Sequence, residues 1–256
     1  MAPLIKGAIF MISITILTKN SEEVLEKTLE STIAFPEVVI LDTGSTDGTL
    51  EIARKFHNVK IFTAFFQGFG KTHNIATSFA SNDWVFSLDS DEVLSEELIA
   101  ELLAKELDPQ CVYAVRRKNF LYGKEIKGCS GWNPDWVFRL YHRKSTSFDD
   151  AEVHEKIILG SLRRENLLHT MSHIPYRRVS DFLQKMQSYT DLFAKQHKGR
   201  KKASMMKAII HGWTSFLKSY FLKRGFLQGE EGFLISAYNG HVAFYKYLKL
   251  KEENDR

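Results

Sequence analysis

Cysteine is nearly absent: of 256 residues only Cys111 and Cys129 carry a thiol. Two thiols cannot build a disulfide framework, and without C-x-x-C spacing they form neither a zinc site nor a redox pair. A reducing, cytoplasmic compartment is therefore expected. Long apolar runs are also missing, and nothing reaches the ~20 residues that a membrane span needs. The apolar stretch at residues 8–17, behind Lys6, has the length of a signal-peptide core but no small-residue cleavage site. Its β-branched Ile12, Ile14, Thr15 and Ile16 suit a buried strand better. Acidic residues are absent between Asp191 and Glu230, whereas nine lysines and arginines fall between Lys195 and Arg224. Those nine exceed the whole net charge of +4, so the basic character is local.

What is present is a globular composition, 44% hydrophobic and 26% charged, which excludes wholesale disorder and a coiled-coil filament. From residue 8 to 115 apolar strand-like runs alternate with amphipathic helical runs. Strands are expected at residues 10–17, 38–41, 59–62, 84–88 and 112–115. The first helix is expected to open with Asn20 as cap and Glu23 three residues later, the second to run over 47–56. A third helix follows Gly68-Phe69-Gly70, and a fourth carries Leu98, Ile99, Leu102 and Leu103. Such β-α-β alternation implies an α/β fold with a mostly parallel sheet flanked by helices. Ligands bind such sheets beyond the carboxyl ends of the strands. After Lys118 come short aromatic-rich runs, with a strand-like segment at 136–141. Helical periodicity returns at 181–195, 203–223 and 232–250.

The strand ends carry the chemistry. Leu88-Asp89-Ser90-Asp91-Glu92 follows the fourth strand, and an Asp-x-Asp pair on such a turn can share a divalent cation with diphosphate oxygens. The same acids, or Ser95, could simply cap the next helix. Asp42-Thr43-Gly44-Ser45-Thr46-Asp47-Gly48-Thr49 follows the second strand and Thr18-Lys19-Asn20 the first. Both are turn formers that also offer partners to a nucleobase or ribose.

These three segments, in order and at their spacing, resemble the GT-A glycosyltransferases of the large inverting family two. Gln67-Gly68-Phe69-Gly70-Lys71 with Asn74, Pro134-Asp135-Trp136 to Arg139-Leu140-Tyr141, and Val153-His154-Glu155 resemble the branch that holds lipopolysaccharide inner-core β-1,4-glucosyltransferases. His173-Ile174-Pro175-Tyr176, Lys185, Tyr189 and Lys246-Tyr247 extend the likeness over nearly the whole chain. The resemblance implies a Rossmann-like GT-A domain over 1–178, with a nucleotide-binding half at about 8–115 and an acceptor half at about 116–178. A helical extension follows at 179–256. It implies a nucleotide-sugar donor, usually UDP-linked, contacted by Thr18, Asn20, Asp42 and Asp89, with Ser90 beside them. Asp91 would coordinate the metal, Mg²⁺ or Mn²⁺. The Gln-x-x-Arg-Trp element of processive synthases is absent, so transfer of a single hexose, glucose from UDP-glucose, to a lipopolysaccharide-core or other lipid-linked saccharide is expected.

Inverting transfer needs one general base, and Glu155 is the candidate, with Asp149, Asp150, Glu152 and His154 as competitors. Lys71 is placed on the diphosphate or, equally, in solvent. His173 is a candidate to complete the metal or phosphate site, although a structural histidine explains it as well; His169, four residues before it, lacks the partners for a zinc site. The loop at 119–133 with Trp132 is either an acceptor lid or a plain hairpin, which aromatic exposure decides. The basic segment 195–224 interleaves its charges with apolar residues. It can therefore lie on an anionic bilayer at the cytoplasmic face of the inner membrane, or pack its apolar stripe on the core. Two other classes compete. A sugar-phosphate nucleotidylyltransferase would want glycines after the first strand, where Thr18-Lys19-Asn20-Ser21 has none. A non-enzymatic peripheral membrane module would rest on the basic helices alone. Nucleic acid is not an expected partner, because the N-terminal crevice is acidic.

Overall fold

The computed structural model describes residues 12–151 and 155–256. The first two residues of the expected first strand, and Glu152, Val153 and His154, lie outside the described residues. The chain divides into two compact units, Met1–Arg117 with Trp136–His173, and Lys118–Asp135 with Ile174–Arg256.

The first unit begins with β1 (Ile12–Thr18), α1 (Leu25–Glu30), β2 (Glu37–Asp42), α2 (Thr49–Ala53) and β3 (Val59–Thr63). It continues with α3 (Phe69–Ser78), β4 (Trp84–Asp89), β5 (Glu92–Leu94) and α4 (Glu96–Ala104). β6 (Cys111–Leu121) leaves this unit and enters a hairpin with β7 (Lys124–Glu125), and β8 (Trp136–His142) and β9 (Arg163–His173) return to it. The strand order is β3-β2-β1-β4-β8-β6-β9-β5, with β7 on β6. The expected α/β sheet is present. Its parallel part is confined to β1–β4, and the strands beyond β4 pair antiparallel where β8 meets β4 and β6, and where β9 meets β5.

The central strands are covered on both faces, so β2 is apolar almost throughout and the polar Ser13, Thr15 and Ser87 of β1 and β4 are buried along with their apolar neighbours. Ile12, Ile14, Ile16, Val38, Ile40, Phe86 and Leu88 are fully buried. Each such side chain contributes about 1.5–3 kcal/mol relative to exposure. At the amino ends of these strands buried Glu37 accepts hydrogen bonds from Ser13, Lys60 (2.7 Å) and the Ser81 N–H (2.7 Å). Burial pushes Glu37 up, but those donors outweigh it and bring its pKa down to about 2.

Two expectations about local structure are corrected. Asn20 does not cap α1: it sits in the left-handed region (φ 53°), and its side-chain oxygen accepts the Thr46 N–H at 2.8 Å. Helix α1 starts only at Leu25, behind a turn in which the Ser21 carbonyl accepts the Val24 and Leu25 N–H groups. The second helix is shorter than 47–56 and spans Thr49–Ala53, with Asp47 accepting the Thr49 N–H at 3.1 Å.

The second unit is helical: α5 (Val179–His197), α6 (Met205–Leu217) and α7 (Gly229–Asp255), with a π-helical turn at Lys218–Leu222. The β6–β7 hairpin turns at Tyr122 and Gly123, both at positive φ, and pairs Phe120 with Glu125. Trp132 is buried and its ring stacks on Tyr176, with centroids 5.9 Å apart. Aromatic exposure is thus divided over 119–133: Trp132 packs inside, while Tyr122 at the hairpin turn is 52% exposed.

Candidate active site

β1, β2 and β4 end in register, Thr18 beside Asp42 and Leu17 beside Asp89, so their polar ends share one edge of the sheet. Asp89 closes β4 and is held by charge. Arg139, from the middle of β8, donates to Asp89 Oδ2 and, at 2.6 Å, to Glu92 Oε1. Arg117 donates to the same Glu92 oxygen at 3.1 Å and lies 3.9 Å from Asp89. The other Glu92 oxygen accepts the Asp89 N–H at 2.9 Å. Glu92 is fully buried and Arg139 nearly so, whereas Asp89 keeps an open side. Burial pushes Asp89 up, but the Arg139 and Arg117 guanidiniums hold its carboxyl far below the usual range. The result is an anion fixed at the strand end and aimed by one buried and one half-buried cation.

Two residues on, Asp91 faces the end of β9. Its Oδ1 lies 3.6 Å from His173 Nε2, and β5 and β9 pair Glu92 with His173. Among the described residues no three His, Cys, Asp or Glu side chains are grouped to hold a metal. One carboxylate oxygen and one imidazole nitrogen at this separation fit a divalent cation that takes its other ligands from diphosphate and water. His169 is not part of such a site, because its Nδ1 is 3.0 Å from Glu101 Oε2.

Glu155 comes to the same region by a clamp built on α3. Gly70 has no side chain because a Cβ there would stand 1.8 Å from the Asp149 carbonyl oxygen. Its N–H donates to the Ala151 carbonyl at 3.1 Å. Asn74 makes a two-way bond with Phe148, donating to its carbonyl at 3.0 Å and accepting its N–H at 2.9 Å. Buried His73 stacks on the Phe148 ring at 4.5 Å and places Nε2 3.7 Å from Glu155 Oε1. Its other nitrogen, Nδ1, is 3.2 Å from Ser87 Oγ. Burial lowers the His73 pKa to about 4, so the imidazole is neutral. Burial raises Glu155 above the ordinary carboxylate range, and Asp89 adds to the rise. Asp149 is spent on the loop itself, accepting the Ala151 and Lys156 N–H groups at 3.3 and 3.1 Å, and Asp150 is exposed.

The remaining predicted residues serve the loops. Asp42 accepts four hydrogen bonds, from the Ser45 hydroxyl (2.5 Å), the Ser45 and Gly44 N–H groups (3.0 Å each) and Thr18 Oγ1 (3.3 Å). A carboxylate offers about four lone-pair sites, and these four donors occupy them, the longest bond being that from Thr18. Burial pushes Asp42 up, but its donors win and lower it. Ser90 pairs its hydroxyl with Ser21 at 3.0 Å, and its carbonyl accepts from Thr28. Lys71 is exposed in the first turn of α3 and makes no ion pair among the described residues. Ser95 caps α4 through the Leu98 N–H, which frees the Asp89–Asp91 acids from that duty. Sequence reasoning gave no role to Arg139, Arg117, Glu92 or His73. An arginine amid the apolar residues of β8 was the available signal, since a buried charge demands a partner.

Residues 13–171 match the family model for glycosyl transferase family 2. That match covers well over half of the sequence. The chain belongs to glycosyl transferase family 2. This glycosyltransferase is 28% identical to the lipopolysaccharide core biosynthesis glycosyltransferase LpsC of Rhizobium meliloti, over 95% of this chain and 93% of that one. It is 27% identical to an uncharacterized glycosyltransferase of Rickettsia typhi, over 94% and 87% of the two chains. Among solved structures, S. aureus TarS 1–349 in complex with UDP-GlcNAc aligns with a TM-score of 0.47 at 16% identity, covering 96% of the glycosyltransferase and 89% of that chain. Family membership decides against the nucleotidylyltransferase and the non-enzymatic module.

Proposed function

We propose that this glycosyltransferase moves a single hexose, glucose from UDP-glucose, onto a saccharide of the lipopolysaccharide core or another lipid-linked acceptor, with inversion. The observation that carries the reading is the pairing of Glu155 with neutral, buried His73 close to Asp89. With Ser87 Oγ donating to Nδ1, the His73 Nε2–H faces Glu155 and leaves its other oxygen for an acceptor hydroxyl. Glu155 takes the hydroxyl proton as the acceptor oxygen attacks the anomeric carbon opposite the leaving diphosphate. A carboxylate with a raised pKa is a stronger base than a solvated one, which suits that step near neutral pH.

Thr18, Asn20, Asp42, Asp89 and Ser90 form the donor side of the site, the first three by fixing the loops after β1 and β2. Lys71, exposed in the first turn of α3, is assigned to the diphosphate. Asp91 and His173 would hold a divalent cation, Mg²⁺ or Mn²⁺, which offsets the charge that develops on the departing diphosphate. The transferase domain is read as 1–178, with the donor half at about 8–115 and the acceptor half at about 116–178, followed by the helical extension 179–256. LpsC, by its name a lipopolysaccharide core glycosyltransferase, supports this acceptor class. The test is calorimetric titration with UDP, with and without Mn²⁺ or Mg²⁺, on the natural protein and Asp91→Ala. Cation-dependent binding that the variant loses supports the donor site. Absence of UDP binding under every cation condition overturns it.

A further inference from the structure

Helix α6 spends only one of its sides on the fold. Gly212 and Gly240 let α6 and α7 approach backbone to backbone: a Cβ on Gly212 would lie 3.3 Å from the Gly240 carbonyl, and one on Gly240 3.2 Å from the Gly212 carbonyl. Ala208 and Gly212, and Ser219 in the π-helical turn beyond, are buried on that side. On the other side Met206, Ile210, Trp213, Leu217 and Phe221 recur every three or four residues as a single row. They are 64, 53, 64, 44 and 54% exposed, and Leu222 follows at 78%. Within the second unit Phe221 meets the rings of Tyr220 and Phe226 and Trp213 borders the α6–α7 groove, yet each residue of the row keeps about half its surface exposed, so the apolar stripe noted in the sequence is only half explained by packing.

The charges around the row are of one sign. No acidic residue occurs between Asp191 and Glu230. Lys202, Lys218, Lys223 and Arg224 are exposed and form no ion pairs among the described residues. A second copy of the chain docking row to row would bring these cations face to face, which costs free energy. An anionic bilayer meets both halves of the pattern, taking the aromatic and aliphatic side chains at the level of its headgroups and the cations against its phosphates. Among the described residues no helix is long and apolar enough to cross a membrane. The orientation is therefore in the plane of the surface.

We propose that the outer face of α6 and the turn after it, from Met206 to Leu222 with Lys218, Lys223 and Arg224, docks this protein on an anionic phospholipid surface. The docking depends on neither the donor nor the acceptor assigned above.

The test is co-sedimentation of the full chain with sucrose-loaded vesicles of phosphatidylcholine alone, and of phosphatidylcholine with about 30 mol% phosphatidylglycerol. Binding to the anionic vesicles is expected, falling as salt rises. The variant Trp213→Ser/Leu217→Ser/Phe221→Ser should lose it by at least about tenfold. Lys218→Gln/Lys223→Gln/Arg224→Gln should lose about fivefold per charge, on anionic vesicles alone. All six side chains point to solvent, so melting temperature and UDP titration should stay as in the natural protein, which separates failure of this inference from failure of the donor site. Three results would overturn it: no vesicle binding, binding that the apolar variant retains, or a dimer that the apolar variant dissolves while vesicles are ignored.

Discussion

Replacing Gly70 with alanine tests how the site is held, because two effects of opposite sign meet at that position. Gly70 lies in the first turn of α3, where alanine is favoured over glycine by up to about 1 kcal/mol. On propensity alone Gly70→Ala would stabilise. The new Cβ, however, would stand 1.8 Å from the Asp149 carbonyl oxygen, with that carbonyl carbon at 3.0 Å and the Ala151 nitrogen at 3.3 Å. All three neighbours are backbone, so no rotamer relieves the clash. Opening the first contact even to 3.0 Å moves the 149–151 backbone by 3.0 − 1.8 = 1.2 Å. The shift pulls Phe148 from the paired hydrogen bonds of Asn74 and disturbs the bond from the Lys156 N–H to Asp149 that adjoins Glu155. Overpacking of this kind costs about 1–3 kcal/mol, and a displacement of about 1 Å at a reacting group costs about a hundredfold in rate. The expected result is kcat for the proposed sugar transfer lowered about a hundredfold, with UDP affinity within about twofold of the natural protein. A Gly70→Ala protein whose kcat stays within about threefold would refute the clamp.

Glu155→Gln should lower kcat by about 10²–10⁴-fold and leave UDP binding intact, and a variant of full activity would move the base elsewhere. In the natural enzyme the acid limb of the pH–rate profile should lie above the ordinary carboxylate range, because burial raises Glu155 and activity is lost as it protonates. Arg139→Met strips Glu92 of its nearest cation inside the core and should cost about 3–5 kcal/mol in urea unfolding, while a change under about 1 kcal/mol would mean that Glu92 takes a proton instead. Stability should fall in two acid steps. His73, at about 4 folded against 6.5 unfolded, leaves the unfolded chain to bind the proton first, so up to about 3 kcal/mol is lost as pH drops from 6.5 to 4. Glu37, at about 2 against 4.5, contributes above pH 4.5 and loses about 2 kcal/mol below it, after discounting for the exposed Lys60. Urea midpoints for His73→Gln and Glu37→Gln should each lack one step.

The parallel strands were legible because burial on both faces forces near-continuous β-branched runs, as in Ile12, Ile14 and Ile16. β5 and β9 were not legible. Three residues of β5 give no period, and β9 runs Arg163-Arg164-Glu165-Asn166 into solvent before it buries Leu167 and Met171. Asp89 and Asp91 stand out in the sequence because one ends and the other directly follows an apolar strand run. The roles of Asp42 and Asn20 could not, since an oxygen free for a nucleotide and one committed to Thr46 or Ser45 look alike in sequence. Gly70 and Asn74 were visible as a pattern, but their purpose lies in a backbone some 75 residues further on, as the 74-residue separation of the Asn74–Phe148 bond shows.

The cluster around Asp89 also bears on how the chain is made. The carboxylates of Asp89 and Glu92 are balanced by Arg117 and Arg139, the latter 50 residues downstream of Asp89, and the edge of β4 is covered only when β8 pairs with it. At about 5–20 residues per second, a nascent chain therefore waits roughly 3–10 s with the Asp89–Glu92 cluster unbalanced in charge and its sheet open at β4. The first hundred or so residues thus do not behave as a separable nucleotide-binding module. Ribosome-bound chains halted before β8 should stay protease-sensitive, and those extended past His142 should acquire protection in a single step.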